Sequence, residues 1–218
     1  MSTLIFDFDG TIADTLDTVF QITNRLAPRY GYRPTTPEQL AMLQDLTIQQ
    51  IMQKVAVSPW QLPFIVRRLS RELSREMESI DLIPGMLPVL HQLATKHQLG
   101  ILTSNTTGNV SRFLRHREID SLFSFVHTGT RLFGKQRVLQ RLMRRYDLYP
   151  ASTLYIGDET RDVEAAHAVG IAAIAVTWGF NSYQALLAKR PDFLIERPEQ
   201  LVPIANQIEL PAFQPEYF

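Results

Sequence analysis

Carboxylates dominate the polar residues of this chain whose types and spacing could carry chemistry. Asp7 and Asp9 stand two residues apart, directly after the apolar run Leu4-Ile5-Phe6. Three further polar groups follow later apolar runs or open a helix: Thr103-Ser104-Asn105, Lys135, and Asp158 with Asp162. Four carboxylates at one place repel one another unless a cation compensates them. An all-oxygen set without His or Cys suits a hard cation, Mg²⁺ before Zn²⁺, and the lysine and hydroxyl groups favour a phosphate as the second occupant.

The predicted strands explain how these groups could meet. Six short apolar runs, mostly continuous rather than alternating, are typical of strands buried on both faces of a parallel sheet. They span residues 4–8, 100–103, 124–128, 154–157, 172–176 and 193–195. Helical patterns lie between them at 86–96, 109–117 and 135–146. This alternation predicts a doubly wound α/β fold, in which ligands bind beyond the carboxyl ends of the strands.

Residues 14–81 break this alternation, because they contain helical patterns and no predicted strand. The clearest helix, at 62–80, has apolar residues at helical spacing on one face and charged residues on the other. The segment is interrupted by four prolines, Pro34, Pro37, Pro59 and Pro63. We therefore predict a small all-helical domain at 14–81, inserted into an α/β core formed by residues 1–13 and 82–218.

Composition narrows the class of protein. The 218 residues include 22 basic and 22 acidic side chains, so the net charge is zero and nothing suggests a nucleic-acid or anionic-membrane partner. The absence of cysteine excludes disulfides, zinc knuckles and a thiol nucleophile, and it fits a reducing compartment. We see no secretory signal pattern and no apolar run near the roughly 20 residues that span a bilayer. We expect a soluble cytoplasmic protein, monomeric by default.

Four short stretches in a fixed order carry a family resemblance. "DFDGT", "ILTSN", "GK" and "GDETRD" each follow the expected element and together resemble the four motifs of the haloacid dehalogenase superfamily of phosphohydrolases. The resemblance covers essentially the whole chain, including a helical cap inserted after the first motif. The stretches "VTWGFNSYQAL" and "PDFLIERPEQL" are similar to the phosphoglycolate phosphatase-like branch. The resemblance implies a Mg²⁺-dependent phosphatase acting on a small phosphorylated metabolite, with 2-phosphoglycolate as the leading candidate.

The resemblance also implies roles for individual residues. Asp7 would be the nucleophile that forms an aspartyl-phosphate. Asp9 would protonate the leaving alcohol and then take a proton from the hydrolytic water. Lys135 would neutralise phosphoryl charge and restrain Asp7. Asp158 would bind Mg²⁺ directly, together with Asp7 and the backbone carbonyl of Asp9. Asp162 would order a metal-bound water or Lys135 from behind these ligands.

The phosphate contacts are less determined by the motifs. The family motif accepts either hydroxyl at Thr103 or Ser104, and we favour Thr103 because it ends the predicted strand. Asn105 would either touch phosphate or substrate or cap the helix that follows it. Gly10 would relax the backbone where the chain leaves the strand, and Gly10 and Thr11 are further candidates for phosphate or substrate contact.

The same residues bear on alternatives within and outside the superfamily. The second carboxylate, Asp9, speaks against a dehalogenase or a P-type ATPase, whose motifs lack an acid there. A sugar phosphomutase or a nucleotide phosphatase remains open, although the extra cap contacts that a mutase needs cannot be identified in 14–81. A catalytically retired regulator or scaffold ranks low, because such proteins commonly lose a nucleophile, acid or metal ligand and here every expected position is filled.

Overall fold

The computed structural model of the chain describes residues 2–129 and 134–207 and contains one six-stranded sheet. The strands are β1 (Thr3–Phe6), β2 (Gln98–Leu102), β3 (Phe123–His127), β4 (Thr153–Gly157), β5 (Ala172–Val176) and β6 (Phe193–Ile195). Their order across the sheet is β3-β2-β1-β4-β5-β6, and every neighbouring pair is parallel. The predicted doubly wound parallel sheet is therefore confirmed, and β1 and β4 lie side by side at its centre.

The predicted strand limits differ from the structure by one or two residues at most ends. Two ends differ by two residues: β1 ends at Phe6 rather than at residue 8, and β2 begins at Gln98 rather than at residue 100. Asp7 makes one further ladder hydrogen bond, its N–H donating to the Ile156 carbonyl at 2.8 Å. Beyond it the chain turns at Gly10, which has φ 73°. The limits of β5 and β6 agree with the prediction.

Ten α-helices occur in the described part of the chain. They are α1 (Leu16–Tyr30), α2 (Pro37–Leu43), α3 (Ile48–Lys54), α4 (Leu62–Glu76), α5 (Met86–Ala94), α6 (Thr107–His116), α7 (Lys135–Arg145), α8 (Thr160–His167), α9 (Tyr183–Ala188) and α10 (Leu201–Gln207). The helix predicted at 62–80 ends four residues early, and the residues after Glu76 form turns whose N–H groups still donate to the Glu76 carbonyl.

The helices α1 to α4 form the insertion between β1 and the rest of the sheet, and no strand occurs within residues 14–81. The two chain crossings lie side by side: the Asp14 N–H donates to the Asp81 carbonyl, and the Ile83 N–H donates to the Ile12 carbonyl, both at 2.9 Å. The short helices α2 and α3 each begin with a capping box, formed by Thr36 with Gln39 and by Thr47 with Gln50. The division into two domains at these crossings remains a prediction.

The hydrophobic core occupies both faces of the sheet. Alternation along β1 sends Leu4 and Phe6 to one face, against α5 and α6, and Ile5 to the other, against α7 and α8. Phe8 continues this alternation beyond the strand end: it is fully buried, and its ring meets Phe113 of α6 edge-on at 5.1 Å. Phe8 therefore anchors the segment that carries Asp7 and Asp9. In residues 2–129 and 134–207, no helix has the length and apolar character needed to cross a membrane.

The anchoring by Phe8 leads to a stability prediction. Replacing Phe8 with Ala removes a fully buried ring and its edge-on contact, so the free energy of unfolding should fall by about 3–5 kcal/mol. Phe64→Ala is the matched control, because Phe64 is 61% exposed and should change stability by less than about 0.5 kcal/mol. Urea unfolding of both variants measures the difference, and equal losses would contradict the anchoring role.

Candidate active site

A cavity of about 800 Å³ lies between the carboxyl ends of the central strands and the inserted helices. The sheet side of its wall is polar and includes Asp7, Asp9, Ser104, Asn105 and Lys135. The opposite wall is mainly apolar and comes from the insertion, for example Leu16 and Val19 of α1 and Ile65 and Leu69 of α4. The arrangement places these five predicted groups on one side of a partly open cavity and the inserted helices on the other.

Lys135 is the positive centre of the polar wall. It opens α7 and is buried, and its Nζ lies 2.9 Å from Asp7 Oδ2 and 2.5 Å from Asp162 Oδ1. Burial alone would lower the pKa of Lys135, but the charges of Asp162 and Asp7 outweigh it and hold that pKa well above its ordinary value. Lys135 is therefore charged throughout the physiological range.

Asp162 supports this centre from α8. Its Oδ2 accepts a hydrogen bond from the Glu159 N–H at 3.1 Å, which also caps the start of the helix. Burial raises the pKa of Asp162 to about 6, although Lys135 acts in the opposite direction. The structure thus brings Asp162 into contact with Lys135, one of the two partners that the sequence analysis proposed for it.

Asp158 lies fully buried at the end of β4 and is held by two donors. Its Oδ1 accepts from the Thr11 hydroxyl and its Oδ2 from the Phe180 N–H, both at 2.7 Å. Burial, followed by the negative charges of Glu159, Asp7 and Asp162, raises the pKa of Asp158 well above its ordinary value. Gly10 borders this carboxylate so closely that a Cβ at position 10 would collide with Asp158 Oδ2.

The carboxylates form a cluster that fits a hard cation. Ligand oxygens of Asp7, Asp158 and Asp162 all lie within 4.8 Å of one another. Asp7 Oδ1 is buried and has no hydrogen-bond partner among the described residues, which is costly for a carboxylate oxygen unless another group binds it. A divalent cation would satisfy that oxygen and offset the repulsion that raises the carboxyl pKa values.

Asp9 has different surroundings from Asp7. It lines the cavity, and each of its carboxylate oxygens accepts a hydrogen bond from Asn105 Nδ2 at 3.0 Å. Burial and the charge of Asp7 raise the pKa of Asp9 to about 7, more than the Asn105 hydrogen bonds lower it. Two carboxyl groups two residues apart are thus held by different partners, one by a lysine and one by a neutral amide.

The structure treats the other candidates for phosphate or substrate contact differently from one another. The Thr103 hydroxyl is buried and accepts the Asn105 N–H at 3.0 Å, whereas Ser104 lines the cavity. Both remain candidates for a phosphate contact. Thr11 is fully buried and holds Asp158. The helix after Asn105 is capped by Thr106, so the prediction that Asn105 caps it is wrong; the Thr106 hydroxyl accepts the Asn109 N–H instead.

Three supporting contacts of the site are not predicted from the sequence. The Phe180 N–H orients Asp158, and a backbone donor leaves no mark in side-chain motifs. The Arg161 guanidinium pairs with Glu159 on the cavity wall, inside the motif already singled out. The third is the pair formed by Asn105 and Asp9, which lie 96 residues apart. The order of the motifs along the chain indicates that Asn105 and Asp9 lie at the same edge of the sheet. It does not indicate which of their atoms form hydrogen bonds.

Comparison with known proteins agrees with this geometry. The family model for haloacid dehalogenase-like hydrolases matches residues 4–176. A phosphoglycolate phosphatase of Synechococcus elongatus is 43% identical over 209 residues, which cover 95% of this chain and 99% of that protein. One of Pasteurella multocida is 25% identical, covering 91% and 96%. A haloacid dehalogenase-like hydrolase structure from Streptococcus pneumoniae has a TM-score of 0.77 at 22% identity, covering 94% and 98%. The chain belongs to the haloacid dehalogenase-like hydrolase family.

The raised carboxyl pKa values predict a stability that depends on pH and on divalent cations. Asp9, Asp158 and Asp162 hold protons in the folded state that they release on unfolding. Without a divalent cation, the contribution of Asp9 and Asp162 to stability is therefore complete below a pH of about 4 and is lost as the pH rises through about 6 to 7. Asp158 acts in the same direction. Saturating Mg²⁺ should remove this loss and raise the melting temperature at pH 8 by about 5–10 °C.

Asp158→Asn is the informative variant for this prediction. The Thr11 hydroxyl can accept as well as donate, so the amide can keep both neighbours. We expect the metal-free variant to melt at or above the wild-type temperature at pH 8 and to gain little from Mg²⁺. Differential scanning fluorimetry measures both. An equal Mg²⁺ shift in the two proteins would show that the carboxylate cluster is not the cation site.

Proposed function

We propose that the chain is a Mg²⁺-dependent phosphatase that hydrolyses 2-phosphoglycolate through an aspartyl-phosphate. The observation that carries the proposal is the pair of differently held carboxyl groups, Asp7 and Asp9, on one cavity wall beside a charged lysine. The relative from Synechococcus elongatus, which carries the phosphoglycolate phosphatase name, supports the substrate. Filled positions for nucleophile, acid and cation ligands favour a working enzyme over a scaffold.

Asp7 is the proposed nucleophile. One of its oxygens is fixed by Lys135 and the other has no hydrogen-bond partner among the described residues, so the carboxylate is oriented without being fully occupied. Attack on phosphorus forms the bond from Asp7 to phosphorus and breaks the bond from phosphorus to the alcohol oxygen. The permanently charged Lys135 then stabilises the negative phosphoryl oxygens as the charge shifts.

Asp9 is the proposed acid and base. A pKa of about 7 leaves a large share of Asp9 protonated at neutral pH, so that it can give its proton to the departing alcohol oxygen. The resulting carboxylate can then take a proton from the water that attacks phosphorus and releases Asp7. A single group can serve both steps because its pKa lies near the working pH.

The residues proposed to bind the cation and the phosphate lie at the same carboxyl end of the sheet. Asp7, Asp158 and the backbone carbonyl of Asp9 are the proposed ligands, with Asp162 holding Lys135 behind them. A Mg²⁺ ion bound there would supply positive charge for the phosphoryl oxygens. Thr103 or Ser104 would donate a hydrogen bond to one of those oxygens, at the end of β2.

The lining and the volume of the cavity are the features that concern the organic part of the substrate. Lys135 and Arg161 line the cavity, but each is paired with carboxylates of the chain, so the cavity wall itself does not argue for a carboxylate on the substrate. The cavity volume of about 800 Å³ is much larger than a two-carbon acid needs. That size favours a second candidate class, larger phosphate monoesters such as nucleotides or sugar phosphates.

A metabolite screen decides between these candidates. With saturating Mg²⁺, 2-phosphoglycolate should give the highest kcat/KM among phosphoglycolate, nucleoside monophosphates and hexose phosphates. Phosphate release measured with each compound over a concentration series gives the ranking. A nucleotide or sugar phosphate ahead of phosphoglycolate by tenfold or more would overturn the substrate assignment while leaving the phosphatase class intact.

Asp7→Asn tests the nucleophile. An amide cannot form the aspartyl-phosphate, so we expect kcat/KM to fall by about 10³-fold or more while the folded structure persists. The matched control is Asp120→Asn, the same change at an exposed position outside the cavity, which should leave kcat/KM unchanged. Turnover by Asp7→Asn at the wild-type rate would exclude the covalent route through Asp7.

Asp9→Asn should change activity according to the leaving group. An alkyl phosphate such as 2-phosphoglycolate needs a proton on its departing oxygen, so kcat/KM should fall by about 10²–10⁴-fold. The p-nitrophenolate group departs without a proton, so kcat/KM for p-nitrophenyl phosphate should fall by far less. Equal losses on the two substrates would contradict the acid role.

A further inference from the structure

A chain of side-chain amides connects the inserted helix α4 with Asp9. Asn105 bonds Asp9, Asn109 bonds Asn105, and Asn109 also bonds the Ser70 carbonyl of α4. We propose that Asn109 is a positioning residue that aligns Asp9 through Asn105 and makes this alignment depend on the docking of α4. The proposal rests on the acid role of Asp9 given above.

The orientation of the Asn105 amide follows from its neighbours. Its Oδ1 lies 2.7 Å from the Thr106 N–H. Because a backbone N–H can only donate, the atom that faces Thr106 must be the amide oxygen, and the amide nitrogen must face Asp9. That nitrogen lies 3.0 Å from both oxygens of Asp9, so one of its N–H bonds is shared between them and holds the carboxyl group facing Asn105.

Asn109 is oriented by the same logic. Its Nδ2 lies 2.9 Å from Asn105 Oδ1 and 3.2 Å from the Ser70 carbonyl oxygen. Both partners are acceptors, so the two hydrogens of Nδ2 serve one partner each. Asn105 and Asn109 are 5% and 2% exposed, so that little water competes for these hydrogen bonds.

The link gives Asp9 a connection to the helices that cover the cavity. Ser70 and its neighbour Leu69 line the cavity wall from α4. With α4 docked, Asn109 is held at both ends and keeps the Asn105 amide in line with the Asp9 carboxyl. Without that docking, Asn109 loses one of its two acceptors and Asn105 loses a fixed partner. Acid catalysis would therefore be strongest when the cavity is covered and bulk water is excluded.

A simpler role for Asn109 would be to fasten α4 to α6. The structure offers a matched residue for that role: Arg112, one turn further along α6, donates to the Ser74 carbonyl of α4 at 2.7 Å. Arg112 joins the same two helices, but it does not line the cavity and lies outside the hydrogen-bond chain that leads to Asp9. Loss of Arg112 therefore weakens docking alone, whereas loss of Asn109 also releases Asn105.

The experiment compares leaving-group dependence in four proteins: wild type, Asp9→Asn, Asn109→Ala and Arg112→Ala. Each is assayed with Mg²⁺ on 2-phosphoglycolate and on p-nitrophenyl phosphate. For Asn109→Ala we expect kcat/KM to fall by about 5–20-fold on the alkyl ester and by less than about twofold on the aryl ester. For Arg112→Ala we expect the ratio of the two values to stay at that of the wild type.

Two further variants complete the test. Asn109→Leu keeps the side-chain volume without a donor and should reproduce the selective loss if the smaller variant fails to fold. The double variant Asn105→Ala/Asn109→Ala should lose no more than Asn105→Ala alone, because both act through one carboxyl group. Additive losses in the double variant would overturn the link.

The outcomes separate this proposal from the proposed function. If Asp9→Asn shows the selective loss and neither Asn109 variant does, Asn109 does not act through Asp9 and the proposal is wrong. Equal losses on both esters in Asn109 and Arg112 variants alike would reduce Asn109 to a docking contact. If Asp9→Asn itself shows no leaving-group dependence, the acid role fails first.

Discussion

The site depends on one electrostatic imbalance at the carboxyl end of the sheet. Three buried carboxylates, those of Asp7, Asp158 and Asp162, lie close together, and the buried ammonium group of Lys135 pairs with two of them, Asp7 and Asp162. The charge of Lys135 alone cannot balance three carboxylates, and buried charges without partners are costly. Burial, together with the repulsion among these carboxylates, raises the pKa values of Asp158 and Asp162, so the metal-free protein favours their protonated forms. A divalent cation would balance the same charge without protons.

The positions of the surrounding groups follow from that cluster. Thr11 and the Phe180 N–H bind Asp158, and Gly10 leaves room for it because a side chain there would strike the carboxylate. Phe8 points into the core between Asp7 and Asp9 and so turns both acids toward the cavity. The alternation of an extended segment thereby separates the two acids by one buried ring. Asp7 faces the lysine, and Asp9 faces the amide of Asn105.

The sequence was sufficient to predict the strands of the sheet and the residues of the four motifs. Mostly continuous apolar runs predicted the strands, because a strand buried on both faces is apolar throughout, whereas the edge strand β3 alternates between buried and exposed residues. The motifs then placed Asp7, Lys135, Asp158 and Asp162 at one edge, where the structure has them. Contacts made by backbone donors or between side-chain amides could not be predicted from the sequence. The Phe180 N–H carries no side-chain signature, and the link between Asn105, Asn109 and Ser70 depends on how α4 packs against α6.

The covalent intermediate on Asp7 is the central claim, and a rapid-quench experiment tests it most directly. Wild-type protein is mixed with Mg²⁺ and 2-phosphoglycolate labelled at phosphorus, quenched in acid within one turnover, and digested for peptide mapping. The account predicts that the phosphoryl label appears on the peptide containing Asp7, at up to one equivalent, and decays at the rate at which phosphate is released. Release of labelled phosphate with no label on Asp7, or with the label on another residue, would contradict it.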